Sequence, residues 1–211
     1  EYDLIIYFLN SIKITFLGTS LSVLMSAMAG YVVSKYDFKG RDFIYGTDIA
    51  VMLITGIGSL GALYKLMNRT GLYNTHTGVI LLYMGGLGIS FLILHGFFKG
   101  LSWSYAEAAF VDGATDFTVF FRVMLPQAKP ALGAVAIIQG INIWNDYFIP
   151  FMFLQDNKKF TLGVGLRQIV LEQSYSADWT KMFAAMIIAT IPILIIYAVF
   201  QNTLIENTVA G

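Results

Sequence analysis

Long apolar runs separated by short polar connectors dominate the chain, and their spacing predicts helices that cross a membrane. Ile14 to Ser34, Thr70 to Phe98 and Met182 to Ile205 contain no Asp, Glu, Lys or Arg. Phe43 to Tyr64 and Pro130 to Gln155 have comparable length and one acid each, Asp48 and Asp146. A hydrocarbon core about 30 Å thick requires roughly 20 apolar residues of helix. Only helices and closed barrels satisfy the backbone in lipid, and these runs are too long for barrel strands. The expected fold is therefore an all-α membrane protein, a polytopic helical bundle with five transmembrane helices, forming one domain over residues 1–211.

The connectors are a basic segment from Lys35 to Asp42, a polar loop from Lys65 to about Thr75, a long stretch over 99–130, and a polar loop from Asp156 to Lys181. Composition agrees with the pattern: 57% of residues are hydrophobic and 12% charged, against about 25% charged in soluble domains. Zero net charge removes a basic footprint for nucleic acid, and the absence of Cys excludes disulfides and thiolate chemistry. No basic segment with a short apolar core precedes the first long run, so no signal peptide is expected; the chain is expected to begin partway through a longer protein.

Charge counting leaves the orientation undecided. With the 99–129 stretch inside, that side holds Lys35, Lys39, Arg41, Lys99, Arg122 and Lys129; the other holds Lys65, Arg69, Lys158, Lys159, Arg167 and Lys181. The dense Lys35, Lys39, Arg41 cluster leans toward a cytoplasmic first connector. Gly56, Gly58 and Gly61 spell G-x-G-x-x-G, but no strand precedes them, so close helix packing is expected there and at Gly85, Gly86 and Gly88. No phosphate-binding loop occurs, so any nucleotide hydrolysis belongs to another chain.

Between Lys99 and Lys129 the local chemistry predicts helix, turn, helix. Ser104 and Glu107 have capping-box spacing, Ala106, Ala108 and Ala109 favour helix, and Gly113 suits a left-handed end. A new start is expected at Thr115 or Asp116, with Pro126 and Pro130 limiting its far end. Ala106, Ala109 and Gly113 are expected to form a stripe of small residues open to a partner, with Glu107 and Asp112 available for polar contacts.

Glu107-Ala108-Ala109, then Gly113, then Val123-Met124-Leu125-Pro126 resembles the EAA motif of permease subunits from bacterial ATP-binding cassette (ABC) importers. Val123 replaces the family's Ile. Asp112-Gly113-Ala114 and Lys129-Pro130 look like the carbohydrate-importer branch, similar to the second permease subunit of the maltose type. Asn10-Ser11, Phe38-Lys39-Gly40-Arg41, Gly71-Leu72-Tyr73-Asn74-Thr75, Trp144-Asn145-Asp146 and Ile191-Pro192 follow in the family's order. Subunits of this type have six helices, so the first is expected to lie outside these five. Prolines usual near Gly58, near Ile89 and before the EAA motif are missing, as is a basic C-terminus.

The resemblance implies that 99–130 is a cytoplasmic coupling loop in which Glu107, Ala108, Ala109, Asp112 and Gly113 meet an ATPase subunit. It implies a homologous second permease, two ATPase subunits carrying ATP and Mg, an extracytoplasmic binding protein, a sugar substrate, and a bacterial inner-membrane location. The chain itself would hold no cofactor or metal and no catalytic residue. Tyr175 and Trp179 are candidates for docking the binding protein. Trp144, Asn145, Asp146 and Tyr147 have two readings: a wall of the sugar pathway, because aromatic faces beside amide and carboxylate groups suit a sugar, or an anchor at the outer interface. His76 and His95, isolated and without partners at metal-ligand spacing, are read as interfacial or packing residues rather than a proton relay. The alternatives are a gradient-driven carrier using Asp48, Asp146 and the histidines, an intramembrane enzyme, and an importer for a non-sugar or anionic sugar-derived solute.

Overall fold

A computed structural model describes residues 3–53, 59–176, 180, 183–184, 186–187, 189–195 and 198, with side chains omitted over 172–176. Every regular element described is helical. The first helix, α1 (Leu4–Lys35), runs 32 residues without interruption. Asp3 caps it by accepting from the Ile6 amide at 3.2 Å, which satisfies one of the amides a helix start leaves unpaired. It begins ten residues before the expected span because Leu4 to Leu9 are apolar and Lys13 does not interrupt the helix. Among the described residues, α1 is the one helix long and apolar enough to cross a membrane.

The other expected spans are divided. Residues 43–64 fall across α2 (Arg41–Met52) and α3 (Leu60–Arg69). Lys65 and Arg69, read as loop residues, lie on α3, where Arg69 in the last turn complements the helix dipole. Thr70 to Phe98 becomes α4 (His76–Tyr83) and α5 (Ile89–Gly100). Three glycines between them have weak helix propensity, and Gly88 adopts φ 99° and ψ −162°, a conformation hostile to other residues. Asp48, buried on α2, fastens this break by accepting from the Gly88 amide at 2.6 Å. Of the glycines read as packing positions, Gly86 does approach Met25 of α1, whereas Gly61 and Gly85 meet open space. Gly56 and Gly58 lie outside the described residues.

After α5 come α6 (Ser104–Val111) and α7 (Asp116–Thr118), which runs into a π-helical segment, Val119–Met124, and then α8 (Leu125–Gln127). Pro126 does not stop the chain. A proline clashes with the carbonyl four residues earlier, here Arg122, and the wider π turn around Arg122 relieves that clash. Pro130 occupies the first turn of α9 (Lys129–Asn145), where no amide bond is lost. The expected 130–155 span breaks at Asp146 and resumes as α10 (Phe148–Phe153). The stretch from 156 is not a plain polar loop: a 3₁₀ turn, Asn157–Lys159, leads into α11 (Leu162–Ser176), whose Leu162, Val164 and Ile169 are buried. Half of the expected final span, 182–205, falls outside the described residues, and the rest is helical.

The bundle is organised around α1, which packs along α5 and α9 and also meets α4, α11 and α2. Gly18, Ser22, Ser26 and Gly30 form a buried stripe at four-residue spacing, the arrangement that lets helices in lipid approach backbone to backbone. A Cβ added to Gly30 would lie 2.9 Å from the His95 amide nitrogen on α5, and one on Gly18 would lie 3.2 Å from Cδ1 of Ile143 on α9. Ile5, Leu9, Ile12 and Phe16 are exposed. Tyr7 and Ile14 join one apolar core with Val79, Phe153 and Leu162, while Ala27 and Tyr31 join a second with Leu94, Phe98, Ala106 and Met124.

Gly30→Val is expected to force α1 and α5 apart and destabilise the protein by about 1–3 kcal/mol or more, the usual cost of overpacking. Gly100→Val, where no atom lies within 4 Å of an added Cβ, is expected to be tolerated; detergent-solubilised thermal unfolding of the two variants measures the contrast.

Candidate functional site

The EAA segment forms α6 and the turn after it, and the two ends of that helix are built differently from expectation. At the start, Ser104 and Glu107 do not form a capping box. Trp103 is the N-cap, and the Ser102 hydroxyl lies one step upstream, accepting from the Ser104 amide at 3.3 Å and pairing with the Ser104 hydroxyl at 2.7 Å. The Glu107 carboxylate is thereby left out of the cap, with its side chain exposed. At the other end the expectation holds. Gly113 has φ 81°, its amide donates to Phe110 at 3.0 Å, and the Ala114 amide donates to Ala109 at 3.0 Å, the paired bonds of a Schellman ending. Thr115 then caps the next turn by accepting from the Thr118 amide at 3.4 Å.

These bonds fix which face of α6 looks outward. Glu107, Ala108, Val111, Asp112 and Gly113 are exposed, and Ala109 is half-buried. Ala106, expected on the outward stripe, is fully buried in the chain's own core against Phe98 and Met124. Val111 is 88% exposed and Phe117 70% exposed. Asp112 sits at the C-terminal end of α6, where the helix dipole disfavours an acid, so its placement does not serve this helix's own stability.

Sequence reasoning did not find the attachments of this loop to α1. The Lys35 ammonium donates to the Leu101 carbonyl just before α6. The Tyr36 hydroxyl donates to Oδ1 of Asp116 at 2.6 Å just after the turn, and the Tyr36 ring stands edge-on to Trp103 at 5.7 Å. Burial and then the bond to Asp116 push the Tyr36 phenol far above the ordinary tyrosine range, so it keeps the proton that it donates. An apolar cleft of about 340 Å³ opens beside this junction, lined by Met28, Tyr31, Val32, Tyr36, Phe117 and Phe120 with Asp116 at its edge. The one local signal was Asp116 in a helix's first turn; its partner is 80 residues away.

The opposite end of α1 holds a second set of ties. Asn10 donates through Nδ2 to the Lys158 and Phe160 carbonyls at 3.0 Å each, and the Ser11 hydroxyl accepts from the Leu162 amide at 2.8 Å. Asn74, with φ 55°, accepts from the Gln155 and Asp156 amides, and Lys159 donates back to the Asn74 carbonyl. His76 donates from Nε2 to the Lys159 carbonyl at 2.9 Å, and His95 stacks beside Tyr45 at 4.7 Å, so both histidines are held by local contacts. The 35–42 and 99–116 segments therefore meet at one end of α1, and 72–76 and 154–162 meet at the other.

Trp144, Asn145, Asp146 and Tyr147 do not converge on one point. Asp146 turns the corner between α9 and α10: Oδ1 accepts from the Phe148 and Ile149 amides at 2.8 and 3.3 Å, while Oδ2 accepts from the Tyr83 hydroxyl at 2.9 Å. Trp144 donates to the Ala189 carbonyl and stands edge-on to Phe8. Asn145 and Tyr147 are exposed. Trp144 and Asp146 are thus both engaged within the chain, Asp146 by three hydrogen bonds and Trp144 by one. Trp179 and the side chain of Tyr175 lie outside the described residues. Among the described residues, no group of three or more His, Asp or Glu could hold a metal.

The description "binding-protein-dependent transport system inner membrane component" belongs to a family whose sequence profile matches residues 4–208. The diacetylchitobiose uptake system permease protein of Streptomyces coelicolor is 34% identical over 206 residues, spanning 97% of this chain and 68% of that protein. The maltose/maltodextrin transport system permease protein of Photorhabdus laumondii is 31% identical over 216 residues, spanning 100% of this chain and 72% of that protein. A crystal structure of a bacterial ABC transporter involved in the import of the acidic polysaccharide alginate shares the fold, with TM-score 0.79 and 24% identity over 93% of this chain and 74% of that one. The family match and these relatives make the chain a transport-system permease subunit, a class that is not enzymatic. The chain belongs to the family of inner-membrane components of binding-protein-dependent transport systems.

If Asp146 is a corner post, Asp146→Asn keeps an acceptor for the α10 amides and leaves transport close to normal, whereas Asp146→Leu orphans those amides and the Tyr83 hydroxyl, at about 1–3 kcal/mol. Thermal unfolding and uptake measured on both variants check this; a transport defect in Asp146→Asn with unchanged stability would return the residue to the pathway.

Proposed function

We propose that this chain is a sugar-importing permease subunit that forms the translocation pathway with a homologous second permease and is driven by two ATPase subunits that bind ATP and Mg. The carrying observation is the outward face of α6, in which a helix locked by a Schellman ending and clamped to α1 presents Glu107, Ala108 and Asp112 beside exposed Tyr105 and Val111. That is the lever the EAA resemblance requires: rigid, close to its partner and polar at its edge. A lever of this kind shifts the inward-facing and outward-facing populations only through contacts that differ between them.

Relatives named for diacetylchitobiose and for maltose and maltodextrin support a sugar, delivered by an extracytoplasmic binding protein. The gathering of 35–42 with 99–116 at one end of α1, and of 72–76 with 154–162 at the other, supports a multi-pass inner-membrane subunit with the EAA loop in the cytoplasm. In this arrangement α4 with α5, and α9 with α10, make crossings as broken pairs, with Asp48 and Asp146 taking up backbone amides at their irregular corners. Asn157 and Lys158, exposed on the outer turn, join Tyr175 and Trp179 as candidate contacts for the binding protein.

Glu107→Lys and Gly113→Asp are expected to leave membrane insertion intact and to abolish uptake. The measurement is ATP hydrolysis and transport by the purified complex in lipid, with binding protein and either a neutral disaccharide or an anionic oligosaccharide. Unchanged transport in both variants rejects the coupling role, and the solute that stimulates hydrolysis identifies the substrate class.

A further inference from the structure

We propose that α1 is the rod that links the outer loop platform to the coupling loop, with Lys35 and Tyr36 as positioning residues at one end and Asn10 and Ser11 at the other; this rests on the importer reading above. Three observations carry it. The near end of α1 grips α6 from both sides, Lys35 through the Leu101 carbonyl before the helix and Tyr36 through Asp116 after it. The far end grips the 158–162 segment through Asn10 and Ser11, and that segment is itself bound to the 74–76 turn. Between the grips α1 is unbroken, whereas residues 70–98 and 130–155 are each interrupted by an irregular corner.

A continuous hydrogen-bonded helix transmits displacement along its axis, and a corner absorbs it. Asn10 and Tyr36 are separated by about 39 Å at 1.5 Å rise per residue. Aromatic contacts stiffen the near joint, with Tyr31 packed against Phe98 at 5.6 Å and Phe120 at 5.1 Å, so the end of α1 turns as one body with the base of the loop. A binding protein pressing on the 155–160 turn would therefore shift the coupling loop through α1. None of these four residues touches solute or ATPase; they act by placing the residues that do.

The test uses the assembled complex in lipid, carrying Asn10→Ala, Tyr36→Phe or both, with maltose and diacetylchitobiose as probes. Each single change is expected to lower sugar transported per ATP hydrolysed by roughly twofold to thirtyfold, and the double variant to fall no lower than the worse single, because one rod is broken once. Amide hydrogen exchange provides the readout that local damage does not move: Asn10→Ala is expected to speed exchange across Ala106 to Ala114, at the end of α1 opposite the change. Unchanged exchange there, or two losses that multiply, would overturn the proposal. Absence of ATP-dependent transport by the unmodified complex would overturn the importer reading instead, and the exchange measurement would still decide whether α1 connects its two ends.

Discussion

Backbone contact between α1 and α5 at Gly30, continued by the small stripe through Ser26, Ser22 and Gly18, sets where everything else in the bundle can lie. In lipid, apolar side chains gain little by leaving hydrocarbon for one another, so association depends on dispersion contacts, and those require surfaces that come close. The stripe supplies that surface on one side of a single long helix. Two apolar cores then form along the same rod, one around Ile14 and Phe153 and one around Leu94 and Met124.

Polar groups complete what packing begins. Two breaks in the apolar spans are each matched by a carboxylate that takes up loose amides, Asp48 at Gly88 and Asp146 at the start of α10. Charges that look expensive for a membrane are thus part of the backbone's own hydrogen bonding. The junction of α1 with the EAA loop uses the same means, with a lysine, a tyrosine and an aspartate positioned where the helix ends and loop backbone needs partners. The Tyr36 phenol and the Asp116 carboxyl form a donor and acceptor pair that neighbouring aromatic rings shelter on one side.

Features governed by a few adjacent residues were legible in the sequence. Gly113 and Thr115 ended and restarted helices as their side chains require, and the EAA spacing identified the family. The start of α6 lies one residue before the position its spacing predicts, because Ser102 and Ser104 are equally competent hydroxyls and only the path of Trp103 chooses between them. Apolar run length located the spans but concealed their corners, since hydropathy is blind to the φ that Gly88 adopts. Asp146 stood out as a charge in an apolar run, yet its partner Tyr83 lies 63 residues away. The Tyr36 to Asp116 bond left no trace beyond Asp116 in a helix's first turn for the same reason, and Ala106 belonged to the core because Phe98 and Met124 happen to face it.

Helix α6 spans eight residues and divides them between two tasks. Ala106, with the backbone ending at Gly113 and Ala114, fastens the helix to its own subunit, while Glu107, Ala108 and Val111 face away and contribute nothing to that fastening. Under the coupling role proposed above, fold and partner choice are encoded on separate positions of one short helix, and a lineage could retune its ATPase partner by drifting on the outer face without endangering the bundle that the inner face holds in place.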